Sequence, residues 1–241
     1  MATPARRATT AKGSYLQESV AGTSITAAQA AGGATSGDLM CYIWVTASNT
    51  ANVASNTGGY TKQWETTHEW ITVSMWTKEH DGTETGDNTW TMDSGYDDGS
   101  WVSFSMYNLN STDPIAGWAF DTDTTGPIYT CPDVTVESTS EMFSVRMLAS
   151  DAQASRGDDN STTWEEVLLF AGDSSAGGAL TVTSETSQSS TTVGTYDIDA
   201  TQNGTNSSRT ITVVFAGENA YPSGSPGIAG EGFTIANGAA F

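Results

Sequence analysis

The stretch SWVSFSMYNL, residues 100–109, alternates throughout: Val102, Phe104 and Met106 fall on one side, Trp101, Ser103, Ser105 and Tyr107 on the other. A period of two is the mark of a β-strand. It recurs in DLMCYIWVTAS, where Leu39, Cys41, Ile43 and Val45 oppose Met40, Tyr42 and Trp44. Because both sides of that run are apolar, it reads as a central strand covered on each face. WITVSMWTK sets Ile71, Val73 and Met75 against Trp70, Thr72, Ser74, Trp76 and Lys78, with YTKQWE as the strand before it and TTHE as a turn. Similar segments continue to RTITVVFAG, separated by turn signals such as DGTETGDN, SGYDDGS, NSTDP and QNGTNSS. The series predicts eleven to thirteen strands and no convincing amphipathic helix; SITAAQAAGGA admits either a helical turn or an edge strand. Many short strands joined by wide loops imply an all-β fold, an antiparallel two-sheet β-sandwich or jelly-roll-like domain. No fixed repeat period is evident in the body.

Charge divides the chain unevenly. It carries 28 acidic and 8 basic residues, a net charge of −20, yet Arg6, Arg7 and Lys12 fall in a first dozen residues that hold no acid. A body this acidic repels phosphate backbones, which argues against nucleic acid as a partner. No apolar run approaches the length of a membrane span, and no apolar stretch comes after the early arginines as an export signal requires. The composition is that of an extracellular β-protein without a mark for export. Virion proteins, folded in the host cytoplasm and released by lysis, combine both properties.

The chain divides into three regions. Residues 1–14 read as a basic arm, 15–216 as the β-sandwich, and 217–241 as an extended Gly/Pro-rich tail with Tyr221, Ile228, Phe233, Ile235 and Phe241 spaced along it. Arg6, Arg7 and Lys12 in the arm, and Tyr221, Phe233 and Phe241 in the tail, are the expected docking residues. On that reading, deleting 1–14 abolishes docking without changing the melting temperature of the domain.

The richest concentration of chemistry lies in residues 58–80, with three tryptophans, His68, His80, Glu65, Glu69 and Glu79. A catalytic reading would pair a histidine with a glutamate, but the alternation makes this segment a hairpin, with no nucleophile in a strained Gly-x-Ser-x-Gly turn. Glu165 and Glu166, adjacent in a strand, point to opposite faces and cannot act as a carboxylate pair. Trp70, Trp76, Trp101 and Trp118 are candidates for an exposed glycan-stacking platform. Asp121 and Asp123, and Asp93, Asp97 and Asp98, offer the hard oxygens that Ca²⁺ prefers, although neither loop completes an EF-hand spacing. Acidic loops are expected at this net charge in any case, so no cofactor is expected. Cys41 and Cys131 lack metal-ligand spacing; burial as free thiols and a single disulfide both remain open.

The order of segments resembles a β-sandwich domain family, jelly-roll-like, recurrent in phage virion proteins and bacterial surface proteins. The resemblance rests on Gly37-Asp38-Leu39, Gly59-Tyr60-Thr61, Trp76-Thr77-Lys78, Thr89-Trp90-Thr91, and Tyr107-Asn108-Leu109 through Pro114-Ile115, and extends over roughly residues 16–216. Gly58-Gly59 stands where the family pattern has proline-glycine. The resemblance implies a non-catalytic protein and brings no site residues with it. The resulting expectation is a structural protein on the outside of a phage particle: capsid decoration, head fibre or tail-associated protein. Other virion subunits would be its partners and it would be present in multiple copies. A carbohydrate-binding or adhesion module that contacts the host cell surface is the alternative.

Overall fold

The computed structural model describes residues 4–15, 24–29, 33–46, 53–69, 71–84, 86–93, 99–122, 128–136, 142–150, 154–156, 165–170, 179–188, 192–193, 196–202 and 208–218. These hold eighteen strands, all paired antiparallel. The first eight are β1 (Ala5–Tyr15), β2 (Ser24–Ala27), β3 (Leu39–Thr46), β4 (Val53–Asn56), β5 (Thr61–His68), β6 (Ile71–Glu79), β7 (Asn88–Met92) and β8 (Gly99–Tyr107). They form a five-stranded sheet, β1-β8-β3-β6-β5, and a covering sheet, β2-β7-β4. The remaining ten are β9 (Ile115–Asp121), β10 (Ile128–Cys131), β11 (Val134–Thr135), β12 (Met142–Ser150), β13 (Ala154–Arg156), β14 (Glu165–Phe170), β15 (Ala179–Gln188), β16 (Thr192–Val193), β17 (Tyr196–Gln202) and β18 (Ser208–Ala216).

The second set repeats the first. Its large sheet runs β9-β18-β12-β15-β14 and its covering sheet β10-β17-β13. With β11 and β16 set aside as an inserted pair, rank for rank this is the order of the first half. In each half the first, eighth, third and sixth strands share one sheet and the second, seventh and fourth the other, which is jelly-roll connectivity. The antiparallel β-sandwich, jelly-roll-like, expected from the sequence is thus built as two jelly-roll units in tandem. The larger strand count comes mainly from short covering strands of two to four residues and from β1.

The two large sheets pack face to face. Leu39, Cys41, Ile43 and Val45 of β3, Ile71, Val73 and Met75 of β6, and Val102, Phe104 and Met106 of β8 meet Phe143, Val145, Met147 and Ala149 of β12 and Ile211, Val213 and Phe215 of β18. Phe104 and Phe215 cross edge to face at 6.4 Å. Each large side chain buried here contributes about 1.5–3 kcal/mol relative to exposure. At one seam, Trp64 of β5 meets Phe120 of β9 at 5.2 Å. There the Arg209 guanidinium lies 5.7 Å over the Phe120 ring and donates to Thr66 Oγ1 at 2.9 Å. Burial holds the Arg209 pKa below its ordinary value, against the opposing effect of Asp121.

The opposite side of β3, with Met40, Tyr42 and Trp44, faces the covering sheet, and joins Trp76, Trp90, Met92, Trp101, Tyr60 and Val53 in a second, aromatic core. Tyr42 Oη donates to the Ala28 carbonyl at 2.8 Å, and Asn88 Nδ2 donates to Gln29 Oε1 at 2.7 Å, so β3, β7 and the end of β2 are tied by polar groups inside that core. The outer face of the second large sheet is covered likewise: Val134 and Val136 pack on Met142 and Val214, and Tyr129 and Cys131 on Leu148. Both faces of both large sheets are thus covered, which is why DLMCYIWV is apolar on both sides.

One sequence reading changes and two gain detail. The segment TTHE is not the turn: β5 runs to His68, which pairs with Ile71, and Glu69 carries the tight reversal at a φ of 45°. SITA resolves as a strand, β2. Gly58, in the place of the resembled family's proline, lies against Asn88: a Cβ there would sit 2.1 Å from Asn88 Oδ1, and the adjoining Gly59 has a φ of 75°.

Candidate assembly surface

The residues expected to form a free basic arm are a strand. β1 pairs with β8 from Ala5↔Tyr107 to Tyr15↔Gly99, with a register shift between Arg6 and Thr10. Alternation does not mark it, because ARRATTAKGSY has almost no apolar face; its place comes from the open edge of β8. Arg7 is the anchor. Its Nε donates to Asp38 Oδ2 at 2.9 Å and its Nη2 to Asp38 Oδ1 at 3.1 Å, a two-pronged fork on a carboxylate that is itself nearly enclosed. Thr35 donates its backbone N–H to Asp38 Oδ2 at 2.9 Å, and the Arg7 guanidinium stacks 4.1 Å over the Tyr107 ring. Hydrogen bonding to Asp38 raises the Arg7 pKa, burial opposing it.

Arg7 is therefore satisfied within its own chain and is not a free docking charge. Arg6 Nη1 donates to the Arg7 carbonyl at 2.7 Å, and Lys12 sits in β1 opposite Val102. Deleting 1–14 would remove an edge strand and strip Asp38 of Arg7, so it lowers the melting temperature, contrary to the expectation for an arm. Arg7→Ala is expected to cost about 1–3 kcal/mol, since a charge-assisted fork is lost and Asp38 stays enclosed. Arg7→Lys, which keeps the charge but not the fork, should recover only part of this; urea midpoints compare the two.

β1 also depends on Gly13, which lies flat on Trp101. A Cβ at Gly13 would fall 2.7 Å from Trp101 Cζ2, a fixed ring atom. Gly13→Val should destabilise by about 1–3 kcal/mol through overpacking, read as a lower urea midpoint with an unchanged slope.

Beyond Asp38 the chain turns through a second polar cluster. The His80 backbone N–H donates to the Asp38 carbonyl at 2.8 Å. His80 is buried, its Nδ1 accepts from the Gly82 N–H at 3.0 Å, and its Nε2 lies 3.6 Å from Glu84 Oε2. Glu84 is also paired with Lys78. These bonds close the 80–84 loop on itself, and His68 lies at the far end of β5. The structure does not bring the two histidines together.

Of the proposed glycan-stacking residues, Trp76 and Trp101 are 6% and 5% exposed and belong to the aromatic core, so neither presents a face to solvent. The covering sheet β2-β7-β4 is the cause. Trp118 is half-buried in β9, packed against the core between the two large sheets. Trp70 lies outside the described residues. So do Asp97, Asp98 and Asp123 of the acidic loops, and Tyr221, Phe233 and Phe241 of the tail. Asp121 is exposed and accepts from the Thr122 N–H at 2.7 Å. Among the described residues no three His, Cys, Asp or Glu side chains are grouped to hold a metal ion, and no helix is long and apolar enough to cross a membrane. Cys41 and Cys131 are free, buried thiols in separate cores, which closes the disulfide question.

Several positions of the resembled pattern have local structural tasks. Gly37, Gly59 and Asn108 adopt φ values of 91°, 75° and 58°; Asp38 holds Arg7, Tyr107 underlies it, and Trp90 is enclosed at the centre of the aromatic core. Sequence reasoning singled out neither Asp38 as Arg7's partner nor Gly13 as the seat of Trp101, because both contacts join residues far apart along the chain. No known family model, curated protein or solved structure matches this chain.

Proposed function

We propose that the protein is a non-catalytic structural component of a phage virion, carried on the outside of the particle as capsid decoration, head fibre or tail-associated protein. The observation that carries this reading is the pair of jelly-roll units joined through their large sheets, with aromatic residues spent on packing. Of the six described tryptophans, five are buried and the sixth is half-buried. Such a body is stiff and strongly acidic outside, suited to displaying a scaffold rather than enclosing a substrate. The segment order it shares with the resembled virion domains supports the same reading. With β1 built into the fold, attachment to other virion subunits falls to the C-terminal tail and the outer surface. The glycan-binding alternative loses Trp76 and Trp101 and gains no observation in exchange.

The test is a density gradient of lysate from the source, with the chain tracked by mass spectrometry across the fractions. Co-migration with megadalton particles at tens to hundreds of copies is the expected result, and copy number separates shell decoration from a tail part. Recovery solely among small soluble proteins would overturn the proposal.

A further inference from the structure

Of the two histidines in this chain, His80 is the enclosed one, 3% exposed, while His68 is half-buried at the end of β5. The bonds of His80 fix where its protons are. Nδ1 accepts from the Gly82 N–H at 3.0 Å, so the neutral ring carries its proton on Nε2. That edge lies 3.6 Å from Glu84 Oε2, too far for a hydrogen bond. Glu84 is engaged elsewhere, on Lys78 through Oε1 and on the Asp81 N–H through Oε2 at 3.2 Å. A second proton on the ring has one place to go, Nδ1. There it would stand against the Gly82 N–H, donor facing donor.

Two carboxylates of its own loop face the ring, Glu84 and Asp81; Asp81 accepts from the Thr83 N–H and hydroxyl, which hold its carboxyl below the usual range. From β6, Lys78 brings a positive charge that is matched by Glu84. From the chain before β5, Tyr60 feels Glu84 and stays neutral, since burial raises its phenol. Asp38, in the turn before β3, gives its carboxylate to Arg7 and Thr35. Attraction to Glu84 would draw a charged ring away from Gly82, so the added charge and the lost hydrogen bond act in the same direction.

This loop backs the turn that seats β1. The His80 N–H donates to the Asp38 carbonyl at 2.8 Å, and the Gly37 N–H donates to the His80 carbonyl at 2.9 Å. Gly82, at a φ of 92°, lies against Ser36: a Cβ there would sit 3.3 Å from Ser36 Cβ. Asp38 in the same turn holds the Arg7 fork. We propose that His80 is a proton-operated latch. In mild acid the ring takes up a second proton, its bond to Gly82 breaks, and the 80–84 loop and the Arg7 end of β1 loosen together. The latch is independent of the virion reading and is tested on the purified full chain.

Amide hydrogen exchange, followed residue by residue by NMR, is compared at about pH 7.5 and about pH 5, with rates corrected for their intrinsic pH dependence. His80→Asn keeps an oxygen close to the place of Nδ1 and takes up no proton in this range; His68→Asn removes the other histidine. In the wild-type chain and in His68→Asn, protection of the Gly82 amide and of residues 5–7 should fall at least about tenfold on acidification, and in His80→Asn it should hold. Imidazole ¹⁵N spectra of His68→Asn, in which His80 is the only ring, give a second reading with His80 untouched. They should show the proton on Nε2 in the neutral ring, and both nitrogens protonated along the same curve as the loss of Gly82 protection. An equal loss in His80→Asn would overturn the proposal, as would unchanged or rising protection in the acidified wild-type chain. A neutral ring protonated on Nδ1 would do the same.

Discussion

Trp90→Ala is expected to destabilise the protein by about 3–5 kcal/mol, the range for truncating an enclosed tryptophan. Trp90 is fully buried at the centre of β7, the middle strand of the first covering sheet. Its ring lies 4.8 Å from Tyr42, 5.2 Å from Trp44, 5.4 Å from Tyr60 and 5.5 Å from Trp76, so one truncation removes a partner from four other rings. Tyr42, Trp44 and Trp76 sit on strands of the five-stranded sheet and the Tyr60 backbone is held by Asn56, so these rings cannot collapse into the space. Trp90→Phe should cost distinctly less, since it keeps most of the apolar contact. Urea unfolding monitored by far-UV circular dichroism gives both values. A loss below about 1 kcal/mol for the alanine variant would mean that the covering sheet is not held by this core.

Alkali should unfold the protein well before it reaches the arginines. Burial pushes the Tyr42 phenol up to about 12, with hydrogen bonds from Asn88 and Ser103 opposing the shift, and burial also raises Tyr60 and the Cys41 thiol. Each group stays protonated in the folded chain at a pH where the unfolded chain has released its proton. The unfolded state then binds fewer protons, so stability falls as pH rises. The fall begins near pH 9, where an unfolded thiol titrates, and steepens near pH 10, where the phenols join; Tyr42 stops contributing near 12. Each group costs about 1.4 kcal/mol per pH unit inside its window, which sums to roughly 3–4 kcal/mol by pH 10.5. Urea midpoints from pH 7 to 11 would show a plateau and then a steep decline, with Tyr60→Phe removing part of the slope. A midpoint that stays flat between pH 9 and 11 would show that these groups titrate freely in the folded protein.

The strands with two apolar faces are the most legible part of the chain. In β3, β6 and β8 the alternation assigns each side chain to one of two cores, and the structure agrees: Ile43 faces the partner sheet, Tyr42 the cover. Alternation cannot say how far away the cover lies. Trp76 and Trp101 have the amphipathic rings of a ligand platform, and only the long-range placement of β7 over them makes them core. β1 escapes the pattern for the related reason that an edge strand takes its position from hydrogen bonds to its neighbour, here about ninety residues away, and needs no alternation of its own. The tandem architecture is hidden because the halves share pairing order rather than residues. Tyr42 of β3 and Arg146 of β12, both buried, hold equivalent places beside Ser103 and Thr212. A repeat of topology leaves no period in the letters. The tail and most of the acidic-loop residues lie outside the described residues, and for them the sequence supplies composition alone.

The two ends of the chain differ in how they would carry force. β1 is held along one side, and a pull that lifts its first residues from the sheet opens the ladder one pair at a time from Ala5↔Tyr107. β18 lies between β12 and β9, so a pull transmitted through the C-terminal segment meets two ladders together, with the Leu109–Gly217 bridge at their end. Hung from its C-terminus the molecule is a rivet; pulled by its N-terminus it is a zip that gives way first and opens the edge of the first jelly roll.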